Sequence, residues 1–407
     1  MVERSARRSP LLRRRAPRAL VTVLGAALIL AGCGTATTGG TSAVTVSGKT
    51  LIIYVSQPPG GAHSQPASDI LAAEKLAFSQ SGGKVGSYTI DLKVLSGAKL
   101  SDNARTAIED QKAIAYLGEL VPGTSQISVQ ILNQQGLLEV SPADTAVYLT
   151  QPIAPVSNTT DTFYPAHATY KQTFGRVVPN SSQEAKAIVQ ELGAEHVTSL
   201  YVADDGQLYG AALALEVRNA AKAAGLTLAT SATGAGAVFY GGSVANAAVA
   251  TRFLDQTASA SPSAKLFVPS GLDDSSFVAG LSAGAQARLT VSSPGFLPKD
   301  LTGDGPAFAS TFRTDDGHAP APQAVFGYEA MRAVLNTLAQ AGTAANNRAA
   351  VVADFRSLKR TSGSALGAYS ISGGDPSIAP FVFARIRTHP LGGAGSLVAF
   401  KFVQLAG

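Results

Sequence analysis

Among residues whose types and spacing could do chemistry, Ser96-Gly-Ala-Lys99 comes first, because S-x-x-K is the spacing of an acylating serine and its lysine base. Ser101-Asp102-Asn103 follows almost at once, but no K-T-G stands in the chain, and a solvated turn after an apolar run accounts for both patterns. His63, His167, His196, His318 and His389 lie far apart and match no metal-ligand spacing. G-x-x-x-x-G-K-[ST] does not occur. What remains are polar side chains placed just beyond apolar runs: Ser141 and Thr145 after 137–140, Thr124 and Ser125 at the start of an amphipathic segment, and Tyr209 before Gly210. At the carboxyl end of a parallel strand, the following helix offers unpaired N–H groups with partial positive charge. Hydroxyls there can hold a carboxylate or amide oxygen without making or breaking bonds. Serine and threonine are also common helix caps and turn formers, and these four residues fit that role too.

The elements that would position them come from hydrophobic periodicity. Short apolar runs at 51–55, 90–95, 113–117, 137–141, 197–203, 238–241, 266–269 and 289–292 read as strands. Amphipathic stretches at 68–80, 103–111, 125–134, 182–192, 208–224, 244–255 and 323–341 read as helices, with Gly225 placed to cap one of them. Strands alternating with helices predict an α/β fold of doubly wound, mostly parallel sheets. A chain of 407 residues exceeds the size at which one core stops growing, about 250–300 residues, so two lobes are expected.

The amino terminus is different. Seven arginines precede an uncharged run from 19 to 32 that ends at Cys33, the chain's one cysteine. A basic segment followed by a short apolar one is the pattern of an export signal. Leu30-Ala-Gly-Cys33 resembles the lipobox of bacterial lipoproteins, which implies cleavage before Cys33 and lipid on its thiol. Arg13-Arg14-Arg15 leaves the export route open between general and twin-arginine secretion. Residues 1–33 hold seven Arg and one Glu, leaving 25 basic and 26 acidic residues in 34–407, a net charge of −1. No basic surface is left to suggest nucleic acid. With one cysteine no internal disulfide can form, so stability must come from the core.

Three patterns, in order, resemble the solute-binding proteins of the branched-chain amino acid type, the receptors of ABC importers. They are Ile114-Ala-Tyr-Leu-Gly118 with Thr124-Ser125 and Gly136-Leu-Leu-Glu-Val-Ser-Pro-Ala-Asp-Thr145; Ser199-Leu-Tyr-Val-Ala-Asp-Asp205 with Tyr209-Gly210; and Phe326-Gly-Tyr-Glu-Ala-Met331. The resemblance implies a two-lobed type I periplasmic-binding fold with crossings near 175–178, 292–296 and 361–363. The lobes would be 50–175 with 296–362, and 176–295 with 363–407, after a signal at 1–33 and a flexible linker at 34–49. It implies hinge closure on a small polar metabolite, an amino acid, amide or related carboxylate, by a monomer without enzymatic activity, cofactor or metal. The implied partners are an ABC permease and the lipid at Cys33, at the outer face of the plasma membrane. An alternative is a sensor of the same fold that signals to a membrane partner. The implied ligand-binding set is Gln57, Thr124, Ser125, Ser141, Ala143, Thr145, Tyr209, Ser270 and Asp273. Two departures stand out: Pro58-Pro59-Gly60-Gly61 lengthens the loop after Gln57, and Ser270 stands where the amino-acid binders carry an acid for the ligand's ammonium. Asp273 is the nearest replacement, and with Asp274 it is also a candidate helix cap.

Overall fold

The computed structural model describes residues 43–59, 64–387 and 396–405. Cys33, with the expected signal and lipobox, lies outside the described residues. Part of the expected linker is ordered. Val46 is buried, its N–H donates to the Asn346 carbonyl at 2.8 Å, and Thr45 bridges to Asn347, so this stretch is docked on the first lobe.

The first sheet contains β1 (Thr50–Ser56), β2 (Lys84–Val85), β3 (Tyr88–Leu95), β4 (Ala113–Leu117), β5 (Leu138–Ser141) and β6 (Phe174–Arg176), in the order β2-β3-β1-β4-β5-β6. All its pairings are parallel except the β2–β3 hairpin. The strand period of two explains why β1 is apolar throughout. Leu51, Ile53 and Val55 join the core under the helices Gln65–Gln80 and Ala324–Ala341, whereas Ile52 and Tyr54 join Ala104, Ala107 and Leu132 on the opposite face.

Further strands are β7 (Ser199–Asp204), β8 (Thr227–Leu228), β9 (Ala237–Gly241), β10 (Lys265–Val268) and β11 (Leu289–Pro294). A small antiparallel sheet follows, of β12 (Lys359–Arg360), β13 (Tyr369–Ser372) and β14 (Asp375–Pro376), then β15 (Ala379–Arg387) and β16 (Ser396–Leu405). The second large sheet has the order β16-β15-β11-β10-β9-β7-β8, parallel from β11 to β8 and antiparallel in its last two strands. Phe239 and Phe267 face the helices Ser181–Ala194 and Leu208–Ala223, and Val238 and Leu266 face Ala247–Ala260. Among the described residues no helix is long and apolar enough to cross a membrane.

Three crossings join the lobes, and hydrogen bonds lace them together. Arg176 N–H donates to the Gly374 carbonyl at 2.9 Å, and Gly295 N–H to the Pro380 carbonyl at 3.2 Å. Tyr369 and Ile371 pack in the first core, so the chain re-enters the second sheet at Ala379, later than the 361–363 expected from sequence. Arg176 has no exposed side-chain surface and pairs with Asp375 at 2.9 Å. Asp375 also accepts from Thr150 (2.9 Å), Gln151 (2.8 Å) and Asn180 (3.1 Å). Asp375→Ala removes the counter-charge of a buried guanidinium, which costs about 3–5 kcal/mol. The variant is expected to unfold well below the wild-type midpoint in a circular-dichroism melt; an unchanged midpoint would mean that the pair does not hold the crossings.

Candidate functional site

The turns after β4, β5 and β10, the end of β11 and the start of the helix Gln65–Gln80 enclose a cavity of about 60 Å³ between the lobes. The first lobe contributes Ile70, Leu120, Pro122, Ala143 and Phe326, and the second Ser270, Asp273 and Ser293. That volume holds about two waters, whereas ligand pockets usually measure about 300–1,000 Å³. A solute larger than that must enter with the lobes parted.

The two lobes meet behind this cavity. Tyr209, at the start of Leu208–Ala223, lies against Gly123, where a Cβ would stand 2.8 Å from the tyrosine Cβ. On its other side is Gly271, where a Cβ would stand 2.6 Å from the ring. The Tyr209 hydroxyl is 3.1 Å from Thr145 Oγ1 of the first lobe and 3.3 Å from Ser270 Oγ of the second. Ser270 in turn donates its N–H and its hydroxyl to the buried Glu184 carboxylate at 2.7 and 2.9 Å, and Ser292 adds a third donor at 2.8 Å.

Other residues of the expected set serve the fold. Ser141 Oγ donates to the Glu119 carbonyl (2.8 Å) and accepts from Ala143 N–H (3.2 Å) and Asp144 N–H (2.8 Å), an internal turn cap. Ser125 Oγ accepts from Glu119 N–H at 3.1 Å, and Thr124 Oγ1 donates to the Val121 carbonyl at 2.6 Å. Gln57 lines a separate groove with Ser68 and Lys75 on the outer side of the first helix. The cavity thus brings together Ala143, Ser270 and Asp273, with Thr145 and Tyr209 behind it; Gln57, Thr124, Ser125 and Ser141 are not among its lining residues.

Asp274 and not Asp273 caps the next helix, accepting from Ser276 N–H (2.8 Å) and Phe277 N–H (3.0 Å). Asp273 therefore turns to the cleft, where its Oδ2 accepts from Ser293 at 2.5 Å and Gln323 at 2.6 Å. Burial, with the neighbouring Asp274 charge, raises its pKa, and the two donors oppose that rise without cancelling it. Glu184 is raised to about 7 by burial, against the pull of its three donors. Glu119, buried beside Tyr116 and Ser56, is also raised to about 7 by burial. Among the described residues no group of three or more His, Cys, Asp or Glu could hold a metal ion.

With this geometry in hand, the molecule is similar to several solved structures. One is a leucine-binding protein, LivK, from Thermotoga maritima: 17% identity over 87% of this chain and 98% of that one, TM-score 0.68. Another is an ABC transporter substrate-binding protein from Desulfitobacterium hafniense in complex with Leu: 19% identity, 86% and 100% coverage, TM-score 0.65. A third is a solute-binding protein from R. palustris in complex with benzoate: 16% identity, 89% and 98% coverage, TM-score 0.62. The fold is the two-lobed type I periplasmic-binding fold. No family model and no curated protein matches the sequence.

Within this type I fold, the residues that sequence reasoning missed are Glu184, Asp144, Ser293 and Gln323. Glu184 reads in sequence as an ordinary first-turn acid after the cap Asn180, and only the folded chain carries it to Ser270. A carboxyl whose folded pKa exceeds its unfolded value stabilises the fold while it is protonated. The contribution of Glu184 is complete below about pH 4.5 and lost as pH rises through about 7; Glu119 has the same sign. The thermal midpoint is expected to fall across that window, and Glu184→Gln should flatten the fall. An identical slope in the variant would remove Glu184 as a cause.

Proposed function

We propose that this chain is an extracytoplasmic solute receptor without catalytic activity, whose lobes close on a small polar solute and present it to an ABC permease. The observation that carries the reading is a cavity built from strand-end turns of both lobes, backed by the inter-lobe contact of Thr145 with Tyr209. The complexes of similar structures with leucine and with benzoate support it. Binding energy then shifts an open–closed equilibrium, and the closed form is what the membrane partner would recognise. Lipid on Cys33 would keep the receptor at the outer face of the plasma membrane, since a diacylglyceryl group anchors more firmly than a single chain.

Two measurements test this reading. A solute present at about 100 times its dissociation constant stabilises the folded chain by about 2.7 kcal/mol. Melting the mature chain against amino acids, amides, amines, carboxylates and polyols should therefore give at least one upward shift of several degrees, and a flat panel would count against the receptor reading. Separately, Cys33→Ser should release the protein from the membrane fraction into the medium; full retention would end the lipoprotein reading.

A further inference from the structure

Behind the cleft, the turn after β5 holds a carboxylate of the chain's own on backbone N–H groups. Asp144, fully buried in the turn after β5, accepts from Gly123 N–H (2.8 Å) and Ala146 N–H (2.9 Å) with Oδ1, and from Ser125 N–H (2.7 Å) with Oδ2. Ser125 opens the helix Ser125–Leu132, so Asp144 takes one of the free donors of that helix start and sits against its partial positive charge. Ser141, the neighbouring hydroxyl, is bonded within its own turn.

The cavity lining tells the same story from the other side. Among the described residues it contains no Lys, Arg or His, and Asp273 is its one ionisable residue. The hydroxyls of Ser270 and Ser293 already donate, to Glu184 at 2.9 Å and to Asp273 at 2.5 Å. Two acceptors are left over. Asp273 Oδ1 has no donor among the described residues, and neither does the buried Oε1 of Gln323, whose Nε2 is turned onto Asp273. Ile70, Leu120 and Phe326 form apolar wall.

We propose that the solute of this cleft is an amine with an apolar body and no free carboxylate, its ammonium received by Asp273 and the Gln323 Oε1. The inference rests on the receptor reading. An ammonium group supplies three donors to the two left-over acceptors and a positive charge to Asp273. A solute carboxylate would meet Asp273 with no cation among the described lining residues, and burying an unpaired charge is strongly unfavourable.

The test uses the mature chain and matched probes titrated calorimetrically: 2-phenylethylamine, phenylalanine and 3-phenylpropanoate, with isoamylamine, leucine and 4-methylpentanoate as the aliphatic set. The amines should bind at least about tenfold more tightly than the matching zwitterions and acids. Asp273→Asn should remove amine binding while the chain still melts cooperatively. Wild-type protein that prefers a zwitterion or an acid overturns this inference and leaves the receptor reading standing. Wild-type protein that binds no member of either set, together with the flat melting panel described above, overturns both.

Discussion

The ring of Tyr209 reaches the first lobe because neither Gly123 nor Gly271 carries a Cβ, and the closeness of the two lobes follows from that contact. Gly123 has a φ of +82°, a conformation that L side chains rarely adopt, so steric room and backbone geometry both call for glycine there. Once the ring is seated, its hydroxyl lies between Thr145 and Ser270, and Ser270 is turned onto Glu184. A chain of hydroxyls therefore runs from the first lobe to a buried carboxylate of the second. Buried polar groups of this kind are tolerated because each has a partner, and losing one leaves another exposed to its full desolvation penalty.

The same economy of polar atoms governs the strand-end turns. Ser141, Asp144, Ser125 and Glu119 bond to each other's backbone and side chains, and the Arg176 guanidinium, from β6, donates to the carbonyls of Asp144 and Ala146 at 2.7 and 2.8 Å. These turns are held in place from within, independent of any bound molecule. The polar surface they leave in the cleft is correspondingly small.

The architecture was readable where the physics is local. Short continuous apolar runs such as 51–55 and 113–117 have the length of strands covered on both faces and are found as such, and the helix expected at 323–341 is found as Ala324–Ala341. Two features escaped. β6 is three residues, Phe-Gly-Arg, with no apolar signature, and the β15–β16 hairpin breaks the strand–helix alternation that guided the reading. The site was legible in part: Ala143, Ser270 and Asp273 line the cavity, whereas Ser141 and Ser125 have the right types in the right turns but spend their hydroxyls on the fold. A hydroxyl in a turn looks the same in sequence whether it faces inward or a solute. Glu184 was illegible because its partners, Ser270 and Ser292, are 86 and 108 residues away.

Asp375 has a mechanical consequence. It draws the end of β6, Asn180 and the Thr150–Gln151 turn onto β14, so the outgoing and returning chains between the lobes are fastened side by side. Two fastened strands cannot slide past one another. The tie therefore sets two of the three crossings in a fixed register, and any change in the angle between the lobes has to come from torsion in the crossing residues and not from sliding of one chain along the other.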